Sequence, residues 1–302
     1  MRGPVELPPA RAWRDLIEHA LEEDVGPGDV TTTLLVSEER NGEAIVEARE
    51  PLIVCGLAIA EAVFRAHDPD LALEHCARDG AEAQSGDHLA IVRGPLRGIL
   101  TAERTALNFL MRLCGVASLT RRFADAVRGT EAAIVDTRKT LPGWRVLDKY
   151  ATAVGGAENH RVGLFDGILI KDNHVALAGN VTLAVKTALA GAPANLRVQV
   201  EVESEEQALA AVEAGADFLL LDNCTPALMR GIAARLQGRA LLEASGGVDL
   251  GNVREIAESG VQRISIGALT HSAPAVDIAL ELSKPATGRA PGGATSPGGV
   301  AA

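Results

Sequence analysis

The chain has 302 residues, 47% of them hydrophobic and 23% charged, which is enough for one large domain or two smaller ones with real cores. A net charge of −11 disfavours general nucleic-acid binding, and no uncharged apolar run reaches the roughly 18 residues of a membrane span. Four widely spaced cysteines, Cys55, Cys76, Cys114 and Cys224, form no C-x-x-C pair, so neither a zinc site nor a disulfide framework is indicated.

The start, Met1 to Arg14, holds three prolines and does not read as a signal peptide; with the unpaired cysteines this predicts a cytoplasmic protein. Ala12 to Glu23 reads as an amphipathic helix, with Trp13, Leu16, Ile17, Ala20 and Leu21 at helical spacing, closed by Gly26, Pro27 and Gly28. Ala44 to Arg49 alternates like a strand, and Leu57 to Ala66 looks helical. Gly80 to Arg97 has the turns and short apolar runs of a small sheet. Thr101 to Leu113 is a strong helix with Thr101 as its N-cap.

From about residue 130 the rhythm changes to short apolar runs alternating with helical stretches: Ala133–Asp136, Gly167–Ile170, Val198–Val202, Phe218–Leu221, Leu241–Glu243 and Arg263–Ile266. The last four begin 20 to 23 residues apart, room for one crossover helix each, so a parallel sheet is predicted. Aromatics are only 3%, and the Ala, Val, Leu and Ile that remain suit such a sheet. Ser204 to Gln207 is a capping box, and Thr225-Pro226 is an N-cap followed by a proline at the first helical position. Gly215 and Gly260 can close helices before the strands that follow. Regular βα units of this kind favour a barrel or an open doubly wound sheet. The last twenty residues contain five glycines and three prolines and read as a disordered tail.

In a parallel βα barrel, chemistry sits where strands end. Here those positions carry Asp136-Thr137-Arg138-Lys139-Thr140, Lys171-Asp172-Asn173-His174, Glu201 with Glu203, Asp222-Asn223, Ser245-Gly246-Gly247, and Gly267 to His271. Arg138, Lys139, Arg161 and Lys171, with His160, form a cationic group. Asp136 to His174 holds six Lys/Arg against five Asp/Glu, a balance of +1 in a chain at −11. Arginine forks match carboxylates in a bidentate way, so a small polyanionic substrate is indicated. Glu201 and Asp222 end neighbouring strands and could hold Mg²⁺, stabilise a cationic sugar transition state, or pair with Lys171 or Lys139. Ser245-Gly246-Gly247 and Gly267 let backbone amides approach a phosphate, helped by the helix N-termini that follow.

These residues also carry a resemblance. Asp136 to Gly143, Lys149-Tyr150-Ala151, Asn159 to Leu164, Leu169 to His174, Glu201-Val202-Glu203, Leu221-Asp222-Asn223 and Glu243 to Gly247 resemble the signature of quinolinate phosphoribosyltransferases. So do Leu21 to Asp24, Gly28 to Thr31 and Glu103 to Phe109, and the likeness spans roughly residues 15–280.

The resemblance implies an α/β protein with an N-terminal α/β sandwich domain and an incomplete (β/α) TIM-like barrel, the type II phosphoribosyltransferase fold. The division expected from it is a sandwich over 1–112, a catalytic barrel over 113–272, a helix over 273–282 returning to the first domain, and the tail over 283–302. It implies transfer of a phosphoribosyl group from phosphoribosyl pyrophosphate to quinolinate with decarboxylation, in a homodimer with a shared site or a higher oligomer built from it. By motif match Arg104 would be the residue lent by the partner. Thr137, Arg138, His160, Arg161 and Lys171 would bind quinolinate. Lys139, Glu201, Asp222, Ser245, Gly246, Gly247, Gly267 and His271 would face phosphoribosyl pyrophosphate. Glu201, Asp222, Lys139 and Lys171 would be catalytic, and Glu201 and Asp222 would hold Mg²⁺ directly or through water or substrate. No organic cofactor is implied. Two positions depart from the family pattern: Ala157 stands where a third glycine is usual, which predicts strain if its φ is positive, and Thr152 stands in a usually apolar stretch. Rival readings are a paralogue taking another base and a barrel that only binds a phosphorylated metabolite. The cation set argues against the first and the Glu201–Asp222 pair against the second.

Overall fold

The computed structural model describes residues 5–283, so all of the expected Gly/Pro-rich tail except Ser283 lies outside the described residues.

The N-terminal part is a four-stranded antiparallel sheet covered by helices. After α1 (Arg14–Val25), which buries Ile17 and Leu21, Asp29 caps α2 (Val30–Leu35) by accepting from Thr32 N at 2.9 Å. β1 (Asn41–Ala48) alternates, burying Ala44, Val46 and Ala48 on one face. Then follow β2 (Leu52–Ile53), α3 (Leu57–His67), β3 (Ala72–His75), β4 (Glu82–Ala83) and β5 (His88–Pro95). The main sheet places β1 and β5 at its centre, while β2 and β4 form a separate small ladder.

The helix expected over Thr101–Leu113 is far longer. α4 runs over 31 residues, Leu96–Ala126, so Thr101 is an interior residue and the expected domain boundary at 112/113 falls mid-helix. Its side chain donates instead to Asp29 Oδ2 at 3.2 Å. No proline interrupts the sequence between Leu96 and Ala126, and its first half packs in the sheet's core while Phe123 packs in the barrel's.

The second part supplies six parallel strands: β6 (Ala133–Val135), then α5 (Arg145–Gly155), β7 (Ile168–Ile170), α6 (Asp172–Ala178), α7 (Val181–Gly191), β8 (Val198–Val202), α8 (Glu205–Glu213), β9 (Phe218–Asp222), α9 (Pro226–Leu236), β10 (Leu241–Ser245), α10 (Val253–Ala257), β11 (Arg263–Ser265) and α11 (Ala268–His271). The sheet order β6-β11-β10-β9-β8-β7 is the cyclic order of a barrel opened between its first two strands. In that opening Ala157 to His160 lies along β6, held by one parallel bridge between Val135 and Glu158. Outward-facing Val200, Val202, Leu219, Leu221, Leu242, Ala244 and Ile264 form the core under the helices.

The helix expected over 273–282 is instead a strand, β12 (Ile278–Leu282), paired antiparallel to β1 at the edge of the N-terminal sheet. Ala, Glu and Leu favour helix, but the open edge of β1 supplies ladder partners that a helix would forgo. Ile278, Leu280 and Leu282 do alternate, over a run too short to decide the period.

Ala157 carries no strain. The only described non-glycine residues with positive φ are Asn223 and Gln237. Gly156 closes α5 at φ +109°, whereas Gly155 is needed for close approach, since a Cβ there would lie 2.5 Å from Ala117 O. Position 157 needs neither property, and Ala157 packs in the barrel core.

Candidate active site

The C-terminal ends of the barrel strands surround a cavity of about 520 Å³. Thr137, Arg138, Lys139, His160, Arg161, Lys171, Glu201, Asp222, Ser245, Gly246, Gly247, Gly267 and His271 all line it. Of the residues to which the resemblance assigns a role, Arg104 alone is elsewhere, on α4, with its side chain 58% exposed. The strand-end residues Asp172 and Glu203 do not line this cavity either.

Strand register explains the gathering. Glu201, Leu220, Glu243 and Arg263 form one cross-strand row, and Asp222 pairs with Ser245 two residues further on. Side chains alternate along a strand, so Leu220 with Asp222, and Glu243 with Ser245, point inward together. Going round the barrel, cations come from the end of β6, the following segment and β7. Carboxylates come from β8 and β9, and glycines from β10 and β11.

The cationic side is built around Asp136. Its carboxylate accepts from Lys149 Nζ at 2.7 and 2.9 Å, Asn159 Nδ2 at 3.0 Å and His160 N at 2.6 Å. Lys149 Nζ also donates to His160 O at 2.9 Å. Thr152, at the departure noted above, is buried and donates to Lys149 O at 2.9 Å and more weakly towards Asp136 at 3.4 Å, so its hydroxyl serves this cluster. Burial pulls the Lys149 ammonium below its usual range, against the opposing pull of Asp136.

Arg138 Nε is buried without an acceptor among the described residues, and Arg161 spends one nitrogen on Gly167 O at 2.9 Å. Burial, and then the neighbouring Arg138 charge, lower the Arg161 pKa. Two guanidinium groups that crowd each other, one with an uncommitted buried donor, suit a ligand carrying more than one negative charge.

His160 is already committed. Its Nδ1 accepts from Arg161 N at 2.8 Å, so the proton of the neutral ring is on Nε2, which faces Gln199 Oε1 at 2.9 Å. Glu243 Oε1 is 3.3 Å from the same nitrogen without forming a hydrogen bond. Burial raises the Glu243 carboxyl, but His160 and Arg263 outweigh it and hold the group below its ordinary value. Arg263 joins Glu243 at 3.0 Å to Glu158 at 2.7 Å, so the cavity floor is a polar network. Sequence reasoning assigned no role to Glu243, Gln199, Arg263 or Glu158. Only Glu243 had a signal, as the residue two before Ser245.

On the acidic side, Glu201 lies 4.0 Å from Lys171 Nζ. Burial raises the Glu201 carboxyl and the Asp222 charge adds to it, while Lys171 opposes both. Gly246 adopts φ +90°, and a Cβ there would meet Asn223 Oδ1 at 2.1 Å, so the chain can pass only without a side chain. A Cβ on Gly267 would lie 2.8 Å from Lys139 Cδ and 3.1 Å from the His271 ring, so this glycine makes room for two cavity residues. The helices that follow these glycines are short, five residues for α10 and four for α11.

No group of three or more His, Cys, Asp or Glu side chains suited to a metal occurs among the described residues. Two carboxylates at a cavity wall instead fit a divalent cation that takes its other oxygens from phosphate and water, the habit of Mg²⁺.

Comparison with known proteins covers nearly the whole described chain. Models of the quinolinate phosphoribosyl transferase N-terminal and C-terminal domains match residues 29–114 and 116–281. The nicotinate-nucleotide pyrophosphorylase (carboxylating) of Mycobacterium leprae is 43% identical over 280 residues, 90% of this chain and 97% of that one. A Nicotiana tabacum protein named quinolinate phosphoribosyltransferase (decarboxylating) 1b is 39% identical over 92% of this chain and 85% of that one. The solved structure of the nicotinate-nucleotide pyrophosphorylase from Francisella tularensis superposes with a TM-score of 0.89 at 34% identity, covering 94% of this chain and 100% of that one.

Proposed function

The chain belongs to the quinolinate phosphoribosyltransferase family, and from that premise we propose how its cavity carries out the family's reaction. The protein transfers the phosphoribosyl group of phosphoribosyl pyrophosphate to quinolinate with decarboxylation. The products are nicotinate mononucleotide, pyrophosphate and carbon dioxide, a step of NAD biosynthesis. The observation that carries the reading is the ordering of charge round one cavity: Arg138, Arg161 and Lys171, then Glu201 and Asp222, then the glycines at 246, 247 and 267.

In this reading Arg138, Arg161 and Lys171 take the two carboxylates of quinolinate, with Thr137 beside them. His160 contributes by fixing the Arg161 backbone through Nδ1. Lys139, Ser245, Gly246, Gly247, Gly267 and His271 receive the phosphoribosyl pyrophosphate. The pyridine nitrogen attacks the anomeric carbon as pyrophosphate leaves, and positive charge develops on the sugar ring. Glu201 and Asp222 face that charge as carboxylates. The Lys139 ammonium and the backbone amides of Gly246 and Gly247 offset charge on the departing pyrophosphate. The pyridinium then accepts the electron pair of the breaking carbon–carbon bond as carbon dioxide departs, and the ring carbon takes a proton. Glu201 and Asp222 would hold Mg²⁺, which when bound neutralises phosphate charge. No organic cofactor enters the scheme.

A homodimer is part of the proposal. Arg104 lies outside its own chain's cavity, and Val30, Leu34, Leu35, Leu164 and Phe165 are each more than 70% exposed, apolar surface that a second copy would cover. A cytoplasmic location is supported by four free cysteines, and no described helix is long and apolar enough to cross a membrane. The test is product analysis: with quinolinate, phosphoribosyl pyrophosphate and Mg²⁺ the protein makes nicotinate mononucleotide. Formation of that nucleotide from nicotinate but not from quinolinate would contradict the reading.

A further inference from the structure

We propose that Arg145 is a positioning residue that sets the separation of the Arg138 and Arg161 guanidinium groups, and through it the preference of the cavity for two adjacent carboxylates over one. The inference rests on the reading of the cavity as a dicarboxylate site.

Arg145 does not line the cavity. It lies in the first turn of α5, and all three of its guanidinium nitrogens are used within the chain. Nη2 donates to Arg138 O at 2.9 Å, Nη1 to Val162 O at 2.6 Å and Nε to Thr140 Oγ1 at 2.5 Å. One fork therefore grips the carbonyl of one cavity arginine and the carbonyl of the residue after the other.

The place of this grip matters because Arg161 follows the segment that lies along β6, and the parallel bridge joining the two, between Val135 and Glu158, comes three residues before Arg138 and three before Arg161. Between the other barrel strands, ladder hydrogen bonds fix the distance between strand ends. Beyond this bridge α5 adds ties made by side chains. Lys149, one turn after Arg145, binds Asp136 and His160 O, and Arg145 binds the residues beyond them on both sides. Asp166 secures the far loop from the opposite side, accepting from Val162 N at 2.7 Å and Gly163 N at 2.8 Å. Arg138 and Arg161 repel each other, so their separation must be imposed by what holds their backbones. The planar guanidinium imposes it with donors at fixed angles, whereas a lysine ammonium has one nitrogen for three acceptors.

The experiment measures direct binding, so it does not depend on turnover. Benzene-1,2-dicarboxylate and benzoate are titrated calorimetrically into the wild-type protein, Arg145→Met and Arg145→Lys, with phosphoribosyl pyrophosphate titrated in parallel. Wild type should prefer the dicarboxylate. Arg145→Met should lose about tenfold of that preference, the scale of a hydrogen bond or two, while phosphoribosyl pyrophosphate affinity stays within about twofold. Arg145→Lys should not restore the preference, and it serves in place of the methionine variant should that one fail to fold. Adding Arg145→Met to an Arg161→Ala protein should change dicarboxylate binding little, because the two act through one contact. An undiminished preference in both Arg145 variants, or equal loss of affinity for dicarboxylate and phosphoribosyl pyrophosphate, would overturn the inference. A wild-type protein that does not prefer the dicarboxylate would overturn instead the cavity reading beneath it.

Discussion

Lys149 Nζ sits 2.7 Å from Asp136 Oδ1 with both side chains at least 95% buried, and this pair anchors the segment that fills the opening between the first two barrel strands. Removing one partner leaves an uncompensated buried charge. Lys149→Met should therefore lower unfolding stability by about 3–5 kcal/mol in urea titration. A variant within about 0.5 kcal/mol of wild type would mean that the segment is held by something else.

Arg138 lines the cavity on its cationic side and its Nε has no acceptor among the described residues, so Arg138→Ala should act on one substrate more than the other. The KM for quinolinate should rise about 10- to 100-fold, the scale of a charge-assisted hydrogen bond, with little change for phosphoribosyl pyrophosphate. Equal losses for both in steady-state kinetics would contradict the assignment.

In the metal-free protein the Glu201 carboxyl is raised by burial and by the Asp222 charge, against the opposing Lys171. Its titration, followed by NMR without Mg²⁺, should therefore lie above the ordinary carboxylate range. Asp222→Asn removes one raising charge and should move that titration to lower pH. A titration that stays in place or moves up would show that the Asp222 charge is not what raises it.

Much of this site was legible because six apolar runs each end in a polar or small residue, and alternation carries Asp222 and Ser245 inward with Leu220 and Glu243. The floor was not legible. β6, β7 and β11 are three residues long, too short for an alternation to stand out, and Arg263 meets Glu158 across 105 positions. Arg145 was invisible as a clamp because two of its acceptors are backbone carbonyls, which every residue has. In the fold, β12 was misread because its composition favours helix while its pairing partner, β1, lies more than 200 residues away. The reach of α4 across the expected boundary was missed because the change of rhythm near residue 130 marks where strands begin, while one helix serves both cores.

A shared site predicts complementation. Arg104→Ala and Lys171→Ala proteins, each impaired alone, should regain activity when mixed and allowed to exchange subunits. Statistical exchange yields hybrids in which one of the two cavities is intact, so recovery should approach about one quarter of wild type. No recovery despite demonstrated exchange would place Arg104 outside the partner's cavity.

The most direct test of the central claim is the stoichiometry of the reaction. Purified protein is given quinolinate, phosphoribosyl pyrophosphate and Mg²⁺, and carbon dioxide and pyrophosphate are followed together. The account predicts equal release of both, dependent on quinolinate. Pyrophosphate without carbon dioxide, or neither product under conditions where both substrates bind, would contradict it.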